Sequence, residues 1–430
     1  MSETQPLDRA DGGSALLPAV RYPLRTVLYA PGRRARLAVL SLVTLRLLLN
    51  TTFLLNILQL ERRDPVFRWY LQHGGDQVIM FHLAYSLLDG PVLETVVGIG
   101  QPLVMLPWIY LLKPAQYIEI AAPLVLINGF LLGGLSVALV SRFGEIVTGS
   151  RRIGLIAAAL WALLPLFAYV GFFWHPESVL LRSAMVPKLG WLNGLSDGPA
   201  TFFLLLGATG LADIMRRKQA DFWAATGVGA ALGVAVLFRF HITPVVAVLL
   251  LGLLLVAGWR ALLAALGMML IAYLPQAWYN LAVFNLPFTT GYLSYGDVQN
   301  WGGTLHRPLN DLLVFFPASP SPANVIGTLA HFLRERVWLA APLAVILALG
   351  VLAFVELKRR HGWQAVYMLL GAPFAYLLPM LTTSNFRDDV LRFSMPVMPA
   401  LLVAGVFAAG VVLEWMAWRA PRGVKRARAE

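Results

Sequence analysis

Apolar runs of about 20 residues alternate along this chain with shorter polar stretches. They fall near 37–60, 118–140, 153–173, 191–213, 222–238, 243–258, 261–283, 337–356, 363–381 and 395–416. A run of this length spans the hydrocarbon core of a bilayer, roughly 30 Å thick. Backbone polar groups in lipid must bond within their own segment, so the runs predict helices. They lack the alternation of two that a membrane barrel needs. The expected fold is therefore all-α: a polytopic integral membrane protein of about ten transmembrane helices. One transmembrane domain is predicted over 37–416, with basic cytosolic tails at 1–36 and 417–430.

The polar stretches are unequal. Segments such as Met215–Gln219 and Glu356–Arg360 are short, basic turns. On the other side lie longer loops at 61–117, 174–190, 284–336 and 382–394. In the first of them, Gln77 to Leu88 predicts an interfacial helix, with Val78, Phe81, Leu83 and Leu87 turned to lipid. Gly98-Ile99-Gly100-Gln101-Pro102 then breaks the chain ahead of a second short apolar helix ending at Leu112. Whether 91–117 spans, re-enters or lies flat is open at this level.

Only 13% of the 430 residues are charged and 58% are hydrophobic, against roughly 25% charged in soluble domains. The net charge of +12 points to topology and not to nucleic acid. Most Lys and Arg sit in 1–36, 142–152, 216–218, 358–360 and 419–428, the short segments of one side. By the positive-inside rule that side is cytosolic, and both termini with it. A polar stretch ahead of Leu37 and a long first run predict a retained N-terminus and no cleaved signal peptide. With no cysteine in the chain, disulfide and thiol chemistry are excluded.

Candidate chemistry gathers on the other side. Asp76, in His73-Gly74-Gly75-Asp76-Gln77, is a carboxylate placed just outside the first span, suited to act as a general base; after two glycines it also fits a solvated turn. Asp197, in Ser196-Asp197-Gly198-Pro199, is either a helix cap or a site residue. Glu177, in His175-Pro176-Glu177-Ser178, is a further candidate. Arg239, in Phe238-Arg239-Phe240-His241, falls within a long apolar stretch, where an unpaired charge is costly. Its planar donors suit a phosphate; snorkelling at an outer turn is the other reading. Arg392, in Arg392-Phe393-Ser394-Met395-Pro396, is placed alike, and the two arginines converging on one phosphate is the sharper expectation. Arg46, inside the first span, calls for a partner on another helix. No histidine spacing matches a metal motif, so no cofactor is expected; His73 and His82 flanking Asp76 leave a divalent metal open. Gly227 to Gly233 reads as a helix-packing surface.

These features together resemble the GT-C superfamily, polytopic glycosyltransferases that use polyprenyl-phosphate sugars, of the protein mannosyltransferase and aminoarabinose transferase type. The resemblance rests on Gly75-Asp76-Gln77 with Leu87-Leu88-Asp89-Gly90, Gly100-Gln101-Pro102-Leu103, Ser196-Asp197-Gly198-Pro199, Leu232-Gly233 running to Arg239, Tyr279-Asn280 through Asn285-Leu286-Pro287, and Arg392-Phe393 with Pro396 and Pro399. It implies Asp76 as the catalytic base, and Arg239 and Arg392 on the lipid phosphate. Asp197, Glu177 and His241 join them as substrate-binding candidates. The implied partners are a lipid-linked sugar donor, membrane lipids and a glycan, lipid or protein acceptor, but no nucleic acid. The implied reaction is inverting transfer of a hexosyl or pentosyl group, in the cell envelope, on the outer side of the cytoplasmic membrane. The chain departs from the family pattern at Gln77, where many members carry Glu, and at Asn285, where Gly is usual. With no separate soluble domain in the sequence, acceptor recognition is expected of the loops, 284–336 first. A transporter or flippase of a lipid-linked or anionic substrate and a non-catalytic scaffold are the other classes; a scaffold predicts Asp76, Arg239 and Arg392 scattered, an enzyme predicts them together.

Overall fold

The computed structural model describes residues 33–63, 76–95, 97–173, 178–288, 326–327, 330, 334, 344–345, 348–380 and 389–419. The described residues are helical and contain no strand, as an all-α polytopic membrane protein requires. The helices are α1 Arg33–Arg63, α2 Asp76–Leu88, α3 Gly100–Leu112, α4 Ala121–Val125, α5 Gly133–Thr148, α6 Arg151–Gly171, α7 Ser178–Gly190, α8 Asp197–Arg217, α9 Phe222–Phe238, α10 Thr243–Phe284, α11 Phe354–Val366, α12 Ala372–Met380, α13 Val390–Ser394 and α14 Met398–Arg419. Among the described residues, six stretches are long and apolar enough to cross a membrane: Arg34–Asn56, Tyr117–Thr148, Arg151–Gly171, Asp197–Arg217, Phe240–Phe284 and Met398–Ala417. The fourth predicted span begins six residues late, because 191–196 is a turn with Trp191 at φ 62°. Much of the predicted span at 337–356 lies outside the described residues.

Two local rules shape the bundle. α10 is too long for one crossing, and it breaks at Gly258, whose φ of 80° is open to glycine at little cost. That break separates the two spans predicted there. The glycines of 227–233 let backbones touch: a Cβ on Gly229 would sit 2.0 Å from Ala265 O, and one on Gly233 2.7 Å from Met269 O. α9 and α10 therefore lie against each other without side chains between them, as small residues permit in membrane helices. α8 and α9 run antiparallel, so the start of α8 and the end of α9 meet at one end of the bundle.

The outer segments differ in part from expectation. In α2, Phe81 and Leu83 are buried with Met80 and Ala84 against α3 and the Tyr117–Ile120 turn, not turned to lipid. Phe81 makes edge contacts with Tyr85 and Tyr117 at 5.1 and 6.4 Å between centroids. Residues 178–190, read from the sequence as connecting loop, form α7, with Met185, Val186 and Leu189 giving it a buried helical face. α3 is a 13-residue helix, about 20 Å long at 1.5 Å per residue and short of a full crossing. Arg46 has the partners on other helices that were expected of it, and they are backbone carbonyls. It is fully buried and donates to Trp161 O at 3.1 Å, Ala162 O at 3.4 Å and Leu189 O at 2.6 Å. Pro165, one turn after Trp161, has no N–H to give to that carbonyl, so Arg46 supplies the donor the helix lacks. One turn on, Asn50 donates to Gly129 O and Gly190 O.

Candidate active site

Four charged side chains from distant parts of the sequence meet at the end of the bundle where α8 begins and α9 ends. Asp76 opens α2, Asp197 opens α8, Arg239 closes α9 and Arg392 sits in α13. Arg239 Nη2 lies 2.5 Å from Asp197 Oδ2, and Arg392 Nε lies 3.0 Å from the same oxygen. Arg392 Nη2 reaches Asp76 Oδ2 at 2.5 Å, with Arg239 Nη2 4.0 Å from that oxygen. One carboxylate thus bridges both guanidinium groups from below, and the other closes the square from the open side.

The two carboxylates are not equivalent. Asp197 has 5% of its side chain exposed and Asp76 35%. Asp197 sits in the first turn of α8, where the helix dipole favours a negative charge. The N-cap of α8 is Ser196, whose side chain makes no cap bond; the Asp197 carboxylate is taken by both arginines. The sequence left a cap and a site residue open at this position; in the structure the carboxylate pairs with two arginines. Arg239, at 9% exposure, is buried and paired, not snorkelling. Its backbone is extended at φ −149°, which turns it out of α9 into the site before the Phe240–Ile242 turn. Phe393 lies between the cations, 5.9 Å from the Arg239 guanidinium carbon and 5.4 Å from that of Arg392. Burial alone lowers the pKa of the Arg392 guanidinium; the charges of Asp197 and Asp76 outweigh it and hold the group above its ordinary value.

His241 is buried beside this group, 5.8 Å from both Phe393 and Tyr376 between ring centroids. Glu177 and His73 lie outside the described residues. His82 is exposed on α2. Among the described residues no three His, Cys, Asp or Glu side chains gather as metal ligands would. Two neighbours were missed in the sequence. Asp389 caps α13, and Lys188 of α7 bonds to it. An Asp three residues ahead of Arg392, before an apolar run, is a cap signal; nothing local points from Lys188 to position 389.

No family model matches the chain, and no curated protein matches it. A solved structure does: the archaeal oligosaccharyltransferase AglB from Archaeoglobus fulgidus, in complex with an inhibitory peptide and a dolichol-phosphate. The likeness has a TM-score of 0.50 at 16% identity and covers 90% of this chain. The likeness is one of fold. This chain spans about half, 52%, of the length of that oligosaccharyltransferase.

Proposed function

We propose that this protein is a membrane glycosyltransferase that moves a hexosyl or pentosyl group from a polyprenyl-phosphate sugar to a hydroxyl or amine acceptor. The observation that carries the reading is the meeting of Asp76, Arg239 and Arg392 within 4.0 Å at one end of a bundle whose fold is like that of an oligosaccharyltransferase. A scaffold has no need of such a cluster. The distribution of basic residues puts this end on the side away from the cytosol, at the outer face of a cytoplasmic membrane.

Asp76 is the general base. It takes the proton from the acceptor as that oxygen or nitrogen attacks the anomeric carbon. The carbon–oxygen bond to phosphate breaks on the opposite face, so the anomeric configuration inverts. Polyprenyl phosphate departs, and Arg239 and Arg392 stabilise the charge that grows on it. At rest Asp76 is held by Arg392. The donor's phosphate takes the place of that carboxylate on the guanidinium, which keeps the charge balance of the cluster and releases Asp76 to act as base. Asp197, buried beneath, stays as the fixed counter-ion. His241, buried beside the cluster against Tyr376 and Phe393, helps to shape the site for the substrate.

The test is transfer of radiolabelled sugar from a panel of polyprenyl-phosphate sugars in membranes holding wild type or Asp76→Asn at equal level. Transfer by wild type and a fall of about 10²-fold or more in the variant is expected; equal transfer by both removes Asp76 as base and ends the mechanism.

A further inference from the structure

We infer that Lys188 and Asp389 are positioning residues that hold Arg392 ready for the donor phosphate and mask a carboxylate that would otherwise oppose it. The inference rests on the phosphate role proposed for Arg392. α13, which carries that arginine, has only five residues, too few to be stable by its own hydrogen bonds. Its position is imposed from outside. Asp389 anchors the start: its Oδ1 accepts from Arg392 N at 3.4 Å and its carbonyl from Phe393 N at 3.0 Å. Tyr376 OH donates to Phe393 O at 2.6 Å, and Trp191 Nε1 meets Met395 Sδ at 3.0 Å.

The remaining Asp389 oxygen, Oδ2, receives Lys188 Nζ. Lys188 stands in the last turn of α7, and that turn is fixed in its own right: Arg46 Nη2 donates to Leu189 O and Asn50 Nδ2 to Gly190 O. A line of contacts thus runs from the first span through the end of α7 to the backbone of Arg392. The pair is also electrostatic. Lys188 and Asp389 expose 17% and 11% of their side chains, so water screens them little. With Lys188 in place the charge of Asp389 is offset in part. Without it a bare carboxylate stands three residues from Arg392, competes for its guanidinium and repels an incoming phosphate. The charge of Asp389 already acts on Arg392, with those of Asp197 and Asp76.

Masking and mere support give different outcomes in a double variant. Asn caps a helix about as well as Asp, so Asp389→Asn keeps the anchor and removes the charge. The experiment titrates farnesyl phosphate, a short polyprenyl monophosphate, into the detergent-solubilised full chain, with farnesol as control. Lys188→Met is expected to weaken phosphate binding at least tenfold, and Lys188→Arg to restore most of it. Adding Asp389→Asn to Lys188→Met is expected to recover binding to within about threefold of wild type, a gap under 1 kcal/mol. Binding by Lys188→Met equal to wild type overturns the inference, and so does a double variant as weak as Lys188→Met. Wild type that binds farnesyl phosphate no better than farnesol overturns the phosphate reading of Arg392 itself, a result distinct from both.

Discussion

Arg392 Nη2 lies 2.5 Å from Asp76 Oδ2, joining residues 316 positions apart in the chain. The carboxylate proposed as base is therefore engaged at rest, and the phosphate that would occupy Arg392 must first displace it. Removing the Asp76 charge has two opposite effects. Transfer by Asp76→Asn is expected to fall by about 10²- to 10⁴-fold, the usual contribution of a general base. Binding of polyprenyl phosphate by the same variant is expected to tighten. Asp76 is a third exposed, so the pair is partly screened and contributes about 1 kcal/mol at most, or up to fivefold in Kd. Calorimetry on wild type and variant checks this, and weaker binding by Asp76→Asn rules out the displacement step.

Asp197 has the reverse profile. It is buried and takes both Arg239 and Arg392 on one oxygen. Truncating it leaves two cations without their shared counter-ion, a change that costs about 3–5 kcal/mol when one partner of a buried pair is lost. Asp197→Ala is expected to lower the melting temperature in detergent far more than Asp76→Asn does. Equal melting of the two variants would refute the division into a fixed and a displaceable carboxylate.

The parts of this molecule governed by local rules were legible in the sequence. Runs of apolar residues marked the helices, and the gap between the runs 243–258 and 261–283 falls at the break in α10. Arg239 and Arg392 stood out because each lies in or beside an apolar run where an unpaired charge is costly; Asp76 stood out as a carboxylate just outside the first span, and Asp197 by its place ahead of Gly198-Pro199. Their pairing was not legible: that Asp197 sits between the two arginines depends on how α8, α9 and α13 meet. Lys188 was passed over for the same reason, since its partner lies 201 residues away. Phe81 and Leu83 were assigned to lipid because an interfacial helix and one covered by α3 share one apolar pattern.

Arg46 illustrates a charge retained for structure. Pro165 leaves Trp161 O without its helical donor, and Arg46 supplies one at 3.1 Å. Loss of Arg46 strands that buried carbonyl and Leu189 O, at about 1–3 kcal/mol for each unsatisfied group. Arg46→Leu is accordingly expected to melt well below wild type. Restoring a backbone N–H with Pro165→Ala in the Arg46→Leu background is expected to recover part of the loss. No recovery in the double variant would mean that the carbonyl at 161 is not what Arg46 serves.

Gly100 governs the approach of α3 to Arg239. A Cβ there would lie 2.8 Å from both Leu237 O and Phe238 N, the backbone just ahead of Arg239, and one on Gly98 would lie 2.8 Å from the same Leu237 O. Neither contact involves a flexible side-chain end, so the backbone itself must move. Overpacking of this kind costs about 1–3 kcal/mol, and here the displaced backbone carries Arg239, the arginine proposed to bind phosphate. Gly100→Ala is expected to weaken binding of polyprenyl phosphate about as much as Arg239→Lys does, although residue 100 bears no polar side chain. By contrast Gly267→Ala, on α10 with nothing within 4 Å of the added carbon, is expected to bind as wild type does. Parallel titration of the three variants decides the matter: a Gly100→Ala protein that binds like Gly267→Ala would show that the clasp of 98–100 on α9 does not set the position of Arg239.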